Sequence, residues 1–201
     1  MFQSNADSYD RIAADWAQKR DSKPVDDCVR EFAARLPSGG CVLDIGCGTG
    51  APIDVFLSES GFVVAGIDAS GRMIERAQAR NLPKARFFHC DFFEFVPEKT
   101  FDAAIAFDSI WHIPLELQRA IYPRIAEWLK PDGWFLFTHG RREGSVSGDM
   151  FGAEFHYSAL DVSELRAILS ENGFQIESMI ENYAHPTTGT RDLLAIARKK
   201  A

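Results

Sequence analysis

The chain has 201 residues, a mass of 22.5 kDa and a formal net charge of −7 at pH 7. Hydrophobic residues make up 46% and charged residues 25%, values that are typical of a folded globular protein and exclude a disordered or collagen-like chain. The length predicts a single domain over residues 1–201, and the acidic balance argues against nucleic acid as a partner.

The sequence predicts neither a signal peptide nor a membrane span. Residues 1–20 carry three aspartates, and no apolar run in the chain approaches the ~20 residues that cross a bilayer. The cysteines show no CxxC pair and no zinc-binding spacing, so we expect free thiols, no metal site and a cytoplasmic location. The cysteines are Cys28, Cys41, Cys47 and Cys90.

Two helices are predicted before the first strand. Apolar residues recur at helical spacing on one face between Tyr9 and Arg20, and Pro24 opens a second helix that runs to about Leu36. We interpret residues 1–38 as a helical cap on the rest of the domain.

Short β-rich runs alternate with helical ones after residue 40. This alternation predicts a parallel sheet with helices on both faces. The last two runs are joined only by a loop, which is too short for a parallel crossover, so we expect them to pair antiparallel. The predicted strands are Cys41–Ile45, Phe62–Ile67, Arg86–His89, Phe101–Phe107, Trp134–Thr138, Phe174–Glu181 and Arg191–Ala197.

Helix and turn signals fill the connections between these strands. Lys130–Gly133 is predicted to be a turn, and Ser158–Asp161 has the capping-box pattern of a helix start. Residues 140–157 have no clear period, which leaves a substrate lid and a disordered loop as the two interpretations. Other helices are predicted after Gly50, from near Ser70, and over Leu115–Leu129.

A glycine-rich loop follows the first predicted strand. Gly46, Gly48 and Gly50 permit a sharp turn and let a ligand approach the N–H groups of the next helix. Asp68 ends the second strand, where an acid accepts hydrogen bonds from the ribose of NAD or of S-adenosylmethionine. Asp44 favours S-adenosylmethionine, because a carboxylate repels a pyrophosphate and attracts the sulfonium and ammonium groups.

The motifs together resemble those of the class I S-adenosylmethionine-dependent methyltransferases. The resemblance implies a Rossmann-like three-layer α/β sandwich, with a seven-stranded, mostly parallel sheet whose last strand is antiparallel. The segments that carry it, in the family's order, are Asp44–Gly50, Val64–Met73, His89–Phe92, Phe101–Asp108 and Leu129–Trp134.

The resemblance also implies how the cofactor is held. Asp68 matches the ribose-binding acid, and Asp91 matches an acid that contacts the adenine amino group. Arg20 pairs with the methionine carboxylate in this interpretation, whereas in the alternative it lies in solvent on an amphipathic helix. The predicted cofactor residues are Tyr9, Trp16, Arg20, Asp44, Gly46, Gly48, Gly50, Asp68, Ala69, Met73, Asp91, Phe92, Phe107 and Asp108.

The predicted reaction is methyl transfer to a small-molecule acceptor, with S-adenosylhomocysteine as the second product. The reaction requires alignment, and a general base only when the acceptor is protonated. His112, His139 and Tyr157 are the candidates for that base. Asp108–Trp111 lacks the paired prolines of enzymes that methylate nucleic-acid bases. An NAD-dependent oxidoreductase and a non-catalytic S-adenosylmethionine-binding regulatory protein remain as alternatives.

Overall fold

The computed structural model describes residues 4–201 as helices around two β-sheets. The α-helices are α1 (Asn5–Arg20), α2 (Asp27–Ala33), α3 (Ile53–Glu59), α4 (Gly71–Ala79), α5 (Gln118–Trp128) and α6 (Val162–Glu171). The strands are β1 (Cys41–Ile45), β2 (Val63–Asp68), β3 (Ala85–His89), β4 (Phe101–Ala106), β5 (Leu129–His139), β6 (Gly144–Met150), β7 (Ala153–Ala159), β8 (Phe174–His185) and β9 (Gly189–Lys199).

The larger sheet has seven strands in the order β3-β2-β1-β4-β5-β9-β8. Strands β1 to β5 pair parallel, whereas β9 is antiparallel to both β5 and β8. Since β9 is the last strand in the chain, the predicted mostly parallel sheet with an antiparallel last strand is confirmed. The hairpin between β8 and β9 is also confirmed.

The sheet buries both of its faces. In β5, Phe135 and Phe137 join the core under α5 and α6, and Leu136 between them joins the core under α2 and α3. This alternation follows from the two-residue period of a strand, and it explains why the central strands are mostly apolar. Helices, sheet and helices form the three predicted layers.

Helix α1 packs against α4 on one side and against β7 on the other. Ser4 and Asp7 cap its start reciprocally. Toward α4, the Asp10 carboxylate accepts hydrogen bonds from Ser70 Oγ at 2.5 Å and from the N–H of Arg72 at 3.0 Å. Toward β7, Asn5 donates to the carbonyl of His156 and accepts from its N–H, both at 2.8 Å. These contacts tie α1 to two separate parts of the fold.

Three local predictions require correction. Residues 140–157 are neither a long irregular loop nor disordered, because β6 and β7 pair there as a hairpin. Ser158 lies in β7, and the N-cap of α6 is Asp161, whose side chain accepts from the N–H of Glu164 at 2.9 Å. Residues 130–133 lie within β5, at an irregularity in its pairing with β4 where Asp132 takes a φ of +64°.

The structure also bears on the cysteines and on membrane-spanning helices. The four cysteines are free thiols, as their spacing predicted. Across residues 4–201, no helix has the length and apolar character that a membrane crossing requires.

Candidate active site

A cleft of about 1040 Å³ opens at the carboxyl ends of the parallel strands. The glycine loop after β1, the residues that follow β2, β3 and β4, helix α1 and the β6–β7 hairpin all contribute to its walls. Ligands of open α/β sheets bind at this edge, because the loops there diverge from a common row of strand ends.

The glycine loop is held close to β2 and β4. The N–H groups of Gly46 and Cys47 both donate to the carbonyl of Ile67, at 2.8 and 3.0 Å. A Cβ on Gly46 would lie 2.3 Å from Cβ of Ser109, and its φ of +74° is the left-handed region that favours glycine. This loop position therefore admits no side chain.

The other two loop glycines have different surroundings. Gly48 lines the cleft, and the nearest atom to a Cβ built there is Nε1 of Trp16 at 3.9 Å. A Cβ on Gly50 would meet the Phe87 ring at 3.0 Å, and Gly50 does not line the cleft. Gly50 thus serves the packing behind the loop, and Gly48 faces the cleft itself.

Asp68 connects the glycine loop to the start of α4. Its carboxylate accepts hydrogen bonds from the N–H of Gly48 at 2.9 Å and of Ser70 at 2.8 Å. Burial raises the pKa of Asp68, against the lowering effect of those two N–H groups. Ala69 and Met73 also line the cleft beside it, as does Asp44 at the end of β1.

The segment after β3 forms a further part of the wall. Asp91 accepts a hydrogen bond from the N–H of Phe93 at 2.8 Å. Asp91 and Phe92 both line the cleft, and the Phe92 ring is buried against Trp128 with a centroid distance of 5.0 Å. A flat apolar surface and an acid are thus adjacent.

Arg20 reaches the cleft from the end of α1. Its guanidinium lies over the Trp16 ring at 4.8 Å and 3.9 Å from the Asp108 carboxylate. Asp108 is also held by Arg191, which donates to its two oxygens at 3.0 and 2.7 Å from a buried position. The Asp108 carboxylate is therefore occupied by arginine within the protein, and the Phe107 ring lies under the same Arg191 at 4.6 Å.

Tyr9 and His112 form a hydrogen-bonded pair in the cleft wall. The Tyr9 hydroxyl lies 2.9 Å from Nε2 of His112, and Nδ1 of His112 lies 3.0 Å from the carbonyl of His156. Because a carbonyl only accepts, Nδ1 carries the proton, and Nε2 accepts from Tyr9. Burial lowers the pKa of His112 and keeps the imidazole neutral.

The two other candidate bases do not line the cleft. His139 is completely buried, with Nδ1 at 2.7 Å from the carbonyl of Gly140 and with Nε2 unpartnered among the described residues. Tyr157 packs on the His112 ring with a centroid distance of 4.9 Å. Of the three candidates, only His112 has a ring in the wall of the cleft.

Several polar residues of the cleft were not identified from the sequence. Asn5, Ser145, Ser147 and His156 line it, and they come from α1 and the β6–β7 hairpin. Asn5 bonds residues 107 and 151 positions away in the chain, so no local pattern marks it. The hairpin residues carry no signal either, since β6 lacks apolar alternation.

Comparison with known proteins identifies the family to which this fold and cleft belong. The model of a methyltransferase domain family matches residues 16–179, and the chain belongs to that family. Phosphoethanolamine N-methyltransferase 1 of Triticum aestivum is 31% identical over 156 residues, 72% of this chain and 30% of that protein. The chain thus spans about a third of the length of this plant relative.

Two further comparisons cover most of the chain. A Saccharopolyspora spinosa protein, dTDP-4-amino-2,3,4,6-tetradeoxy-D-glucose N,N-dimethyltransferase, is 27% identical over 94% of this chain and 75% of its own. The crystal structure of magnesium protoporphyrin IX methyltransferase from Synechocystis PCC 6803, with bound S-adenosylhomocysteine, has a TM-score of 0.73. It is 20% identical and covers 98% of both chains, a likeness of fold.

Proposed function

We propose that the protein is an S-adenosylmethionine-dependent methyltransferase that acts on a small-molecule acceptor. The observation that carries the proposal is the half-buried Asp68 carboxylate, which accepts from the N–H of Gly48 at the open end of the sheet. A carboxylate there accepts the two hydroxyl protons of a ribose, and the absence of a side chain on Gly48 leaves room for it. The family match over residues 16–179 supports methyl as the transferred group.

The charge of the cleft favours this cofactor over a dinucleotide. In the described lining, five carboxylate side chains accompany a single arginine, Arg20. Asp44 lies at the glycine loop, where the pyrophosphate of NAD would meet its charge at contact range. The ammonium and sulfonium groups of S-adenosylmethionine are instead attracted there. The excess of carboxylates in the cleft lining also supports a neutral or cationic methyl acceptor and argues against a nucleic acid.

The cleft residues fit each part of the cofactor. Asp68 receives the ribose hydroxyls, and Asp91 and Phe92 receive the adenine amino group and ring. Arg20 pairs with the carboxylate, because a guanidinium matches a carboxylate in shape and charge. Asp44 faces the ammonium group. The bound cofactor supplies an electrophilic methyl group, and the chain supplies its alignment with the acceptor.

The Tyr9–His112 pair is the proposed proton acceptor when the methyl acceptor carries a proton. Since Nε2 of His112 is occupied by the Tyr9 hydroxyl, a proton from the acceptor passes through that hydroxyl to the imidazole. The bond from Nδ1 to the His156 carbonyl fixes the tautomer that this role requires. The sequence identified His112, and the structure adds Tyr9 as its partner.

Helix α1 and the β6–β7 hairpin together close the cleft in this proposal. Tyr9, Trp16 and Arg20 of α1 face it, as do Ser145 and Ser147 of β6. Closure excludes water from the reacting groups. The free thiols agree with a reducing compartment such as the cytoplasm, where we place the protein.

Calorimetric titration with S-adenosylhomocysteine and with NAD tests the cofactor assignment. We expect binding of the first and none of the second. Binding of NAD alone would overturn the proposal and restore the oxidoreductase alternative. Formation of S-adenosylhomocysteine from S-adenosylmethionine in the presence of a panel of amine, hydroxyl and carboxyl acceptors then tests turnover. A chain that binds the cofactor without any turnover would be a regulatory protein.

A further inference from the structure

Asp54 is an acid that the proposed mechanism leaves unexplained. It lies in the first turn of α3, directly behind the glycine loop, and none of its surface is exposed. Neither of its carboxyl oxygens has a hydrogen-bond donor among the described residues. An ionised carboxylate buried without a hydrogen-bond donor is strongly unfavourable, so the group is expected to be neutral.

The Asp54 carboxyl group lies within hydrogen-bonding reach of Asp44. Asp44 is itself 3% exposed and lines the cleft. Two buried carboxyl groups in contact do not both ionise, because the like charges repel in a medium of low polarity. One proton shared between them removes the repulsion and gives Asp54 the hydrogen bond that it otherwise lacks. The pair then carries one negative charge.

The other charged groups near the pair do not neutralise it. Asp68 of β2 adds negative potential, and Cys47 of the loop is a thiol whose pKa burial raises far above the neutral range. Arg80, after α4, is the cation that acts on Asp54. Its guanidinium is already bonded to Asp21 and to the carbonyl of Thr49. Burial, and then the charge of Asp68, raise the pKa of Asp44, against the lowering effect of its hydrogen bond with Asp54, whereas burial and the charge of Asp44 raise the pKa of Asp54.

We propose that Asp54 is a positioning residue that holds a proton against Asp44 and directs the free oxygen of Asp44 toward the ammonium group of the cofactor. The inference rests on the proposed function. The Asp54 O–H donates to one oxygen of Asp44, and the other oxygen receives an N–H of the ligand. One negative charge is thereby matched with one positive charge, and Asp54 itself does not touch the ligand.

The inference applies to the amino-acid part of the cofactor alone. S-adenosylhomocysteine has that part, and 5′-methylthioadenosine has the adenosine and sulfur without it. Asp68 faces the ribose that both share, so any effect of its titration changes both affinities equally. The ratio of the two dissociation constants therefore isolates the contribution of the Asp44–Asp54 pair from that of Asp68.

The sign of the pH dependence follows from the shared proton. Below the raised pKa of Asp44 a second proton neutralises the pair, and it must leave before the ammonium group binds. We expect the preference of the protein for S-adenosylhomocysteine over 5′-methylthioadenosine to fall roughly tenfold from about pH 7.5 to about pH 5.5. Above this range the ammonium group of the ligand itself titrates, so measurements stop there.

Two substitutions at Asp54 test the inference by calorimetry. Asp54→Asn replaces the O–H donor by an N–H donor to Asp44, so its preference at about pH 7.5 stays within twofold of the wild type, and the fall toward about pH 5.5 remains because Asp44 still titrates. Asp54→Leu removes the donor, so the preference falls about tenfold, and 5′-methylthioadenosine binding is unchanged. Ser58→Ala, at a second buried unpartnered oxygen of α3, is the matched control and leaves the preference unaltered.

The outcomes separate the inference from the proposed function. A wild-type preference that does not change with pH, or an Asp54→Asn protein whose preference falls as far as that of Asp54→Leu, would overturn the role of Asp54. So would an Asp54→Leu protein with an unchanged preference. Failure of both adenosine ligands to bind the wild type would instead overturn the proposed function. Thermal unfolding of each variant without ligand establishes that it is folded.

Discussion

The Tyr9 hydroxyl donates to Nε2 of His112 across 2.9 Å, and Tyr9 belongs to the helix that covers the cleft. Both side chains line the cleft. Burial and nearby carboxylates raise the pKa of Tyr9 well above its usual range, so the phenol keeps its proton until it can pass one on. The candidate base predicted from the sequence thus shares a hydrogen bond with Tyr9 of α1.

Substitution of either member of this pair is expected to slow turnover. His112→Ala removes the final proton acceptor, and Tyr9→Phe breaks the path to it, so we expect kcat to fall about 100-fold in each. Tyr157→Phe keeps the ring that packs on His112, and its rate is expected to stay within about twofold. Steady-state kinetics with an identified acceptor measures all three. A large loss in Tyr157→Phe alone would move the base to that residue.

The pH dependence of the rate has a predicted direction. Burial lowers the pKa of His112, so the neutral imidazole persists below about pH 6.5, where an exposed histidine gains its proton. With S-adenosylmethionine at saturation, so that titration of Asp44 does not limit cofactor binding, we expect kcat/KM for the acceptor to rise with pH and to reach its plateau below that value. Stability changes in the same sense, since the unfolded chain takes up the proton first and acid therefore favours unfolding. An inflection above pH 7 in kcat/KM would contradict a buried neutral base.

Asp68→Ala is expected to weaken S-adenosylhomocysteine binding by roughly 1–3 kcal/mol, since charged hydrogen bonds to the ribose are lost. Calorimetric titration measures the change. Asp15→Ala removes an exposed acid of α1 and controls for net charge. An affinity unchanged by Asp68→Ala would remove Asp68 from the ribose site.

The buried ion pair beside the cleft is expected to matter for stability. Arg191→Met leaves Asp108 and Asp26 without the guanidinium that lies between them, and removal of one partner from a buried pair costs about 3–5 kcal/mol. Arg198→Met breaks an exposed pair with Asp132 and is expected to cost about 1 kcal/mol or less. Urea denaturation compares the two. Equal losses of unfolding free energy in the two variants would show that the buried position of Arg191 adds nothing to stability.

The junction between α1 and β7 is expected to loosen in Asn5→Ala. Asn5 accepts from the N–H of His156 and donates to the carbonyls of His112 and His156, so these groups lose their partner. Hydrogen exchange at the His156 amide is expected to become about tenfold faster, since each 1.4 kcal/mol of opening free energy gives that factor. Asp15→Ala on the exposed face of α1 is the control. Unchanged exchange would show that β7 is held without Asn5.

The sheet was predictable from the sequence because its pattern is local. A buried parallel strand such as β1 is a nearly continuous apolar run, and the glycine loop that follows has a spacing that few other structures require. The antiparallel β9 followed from loop length and from the family resemblance, whereas the order of strands in the sheet was not predicted. The predicted ends of β1 to β4 lie within a residue of the observed ones. Strand β5 begins five residues earlier than predicted because the predicted turn is an irregularity within the strand, and β8 and β9 are longer than predicted.

The parts that were missed depend on contacts between distant segments. The β6–β7 hairpin has a glycine- and serine-rich strand with little apolar alternation, and Asn5 and Ser8 of α1 bond to β7 across the intervening chain. Asp54 has the position of an ordinary acid in a first helical turn. Only the complete fold shows that it is buried against Asp44.

Helix α1 carries Arg20 at one end of the cleft and Tyr9 about 16 Å along its axis, at 1.5 Å per residue. Both side chains move when α1 moves as a rigid body. If the helix lifts to release spent cofactor, the proton path is dismantled in the same motion. While α1 is lifted, an acceptor cannot pass its proton through Tyr9 to His112. Release of the cofactor and loss of the proton path are therefore coupled through one helix.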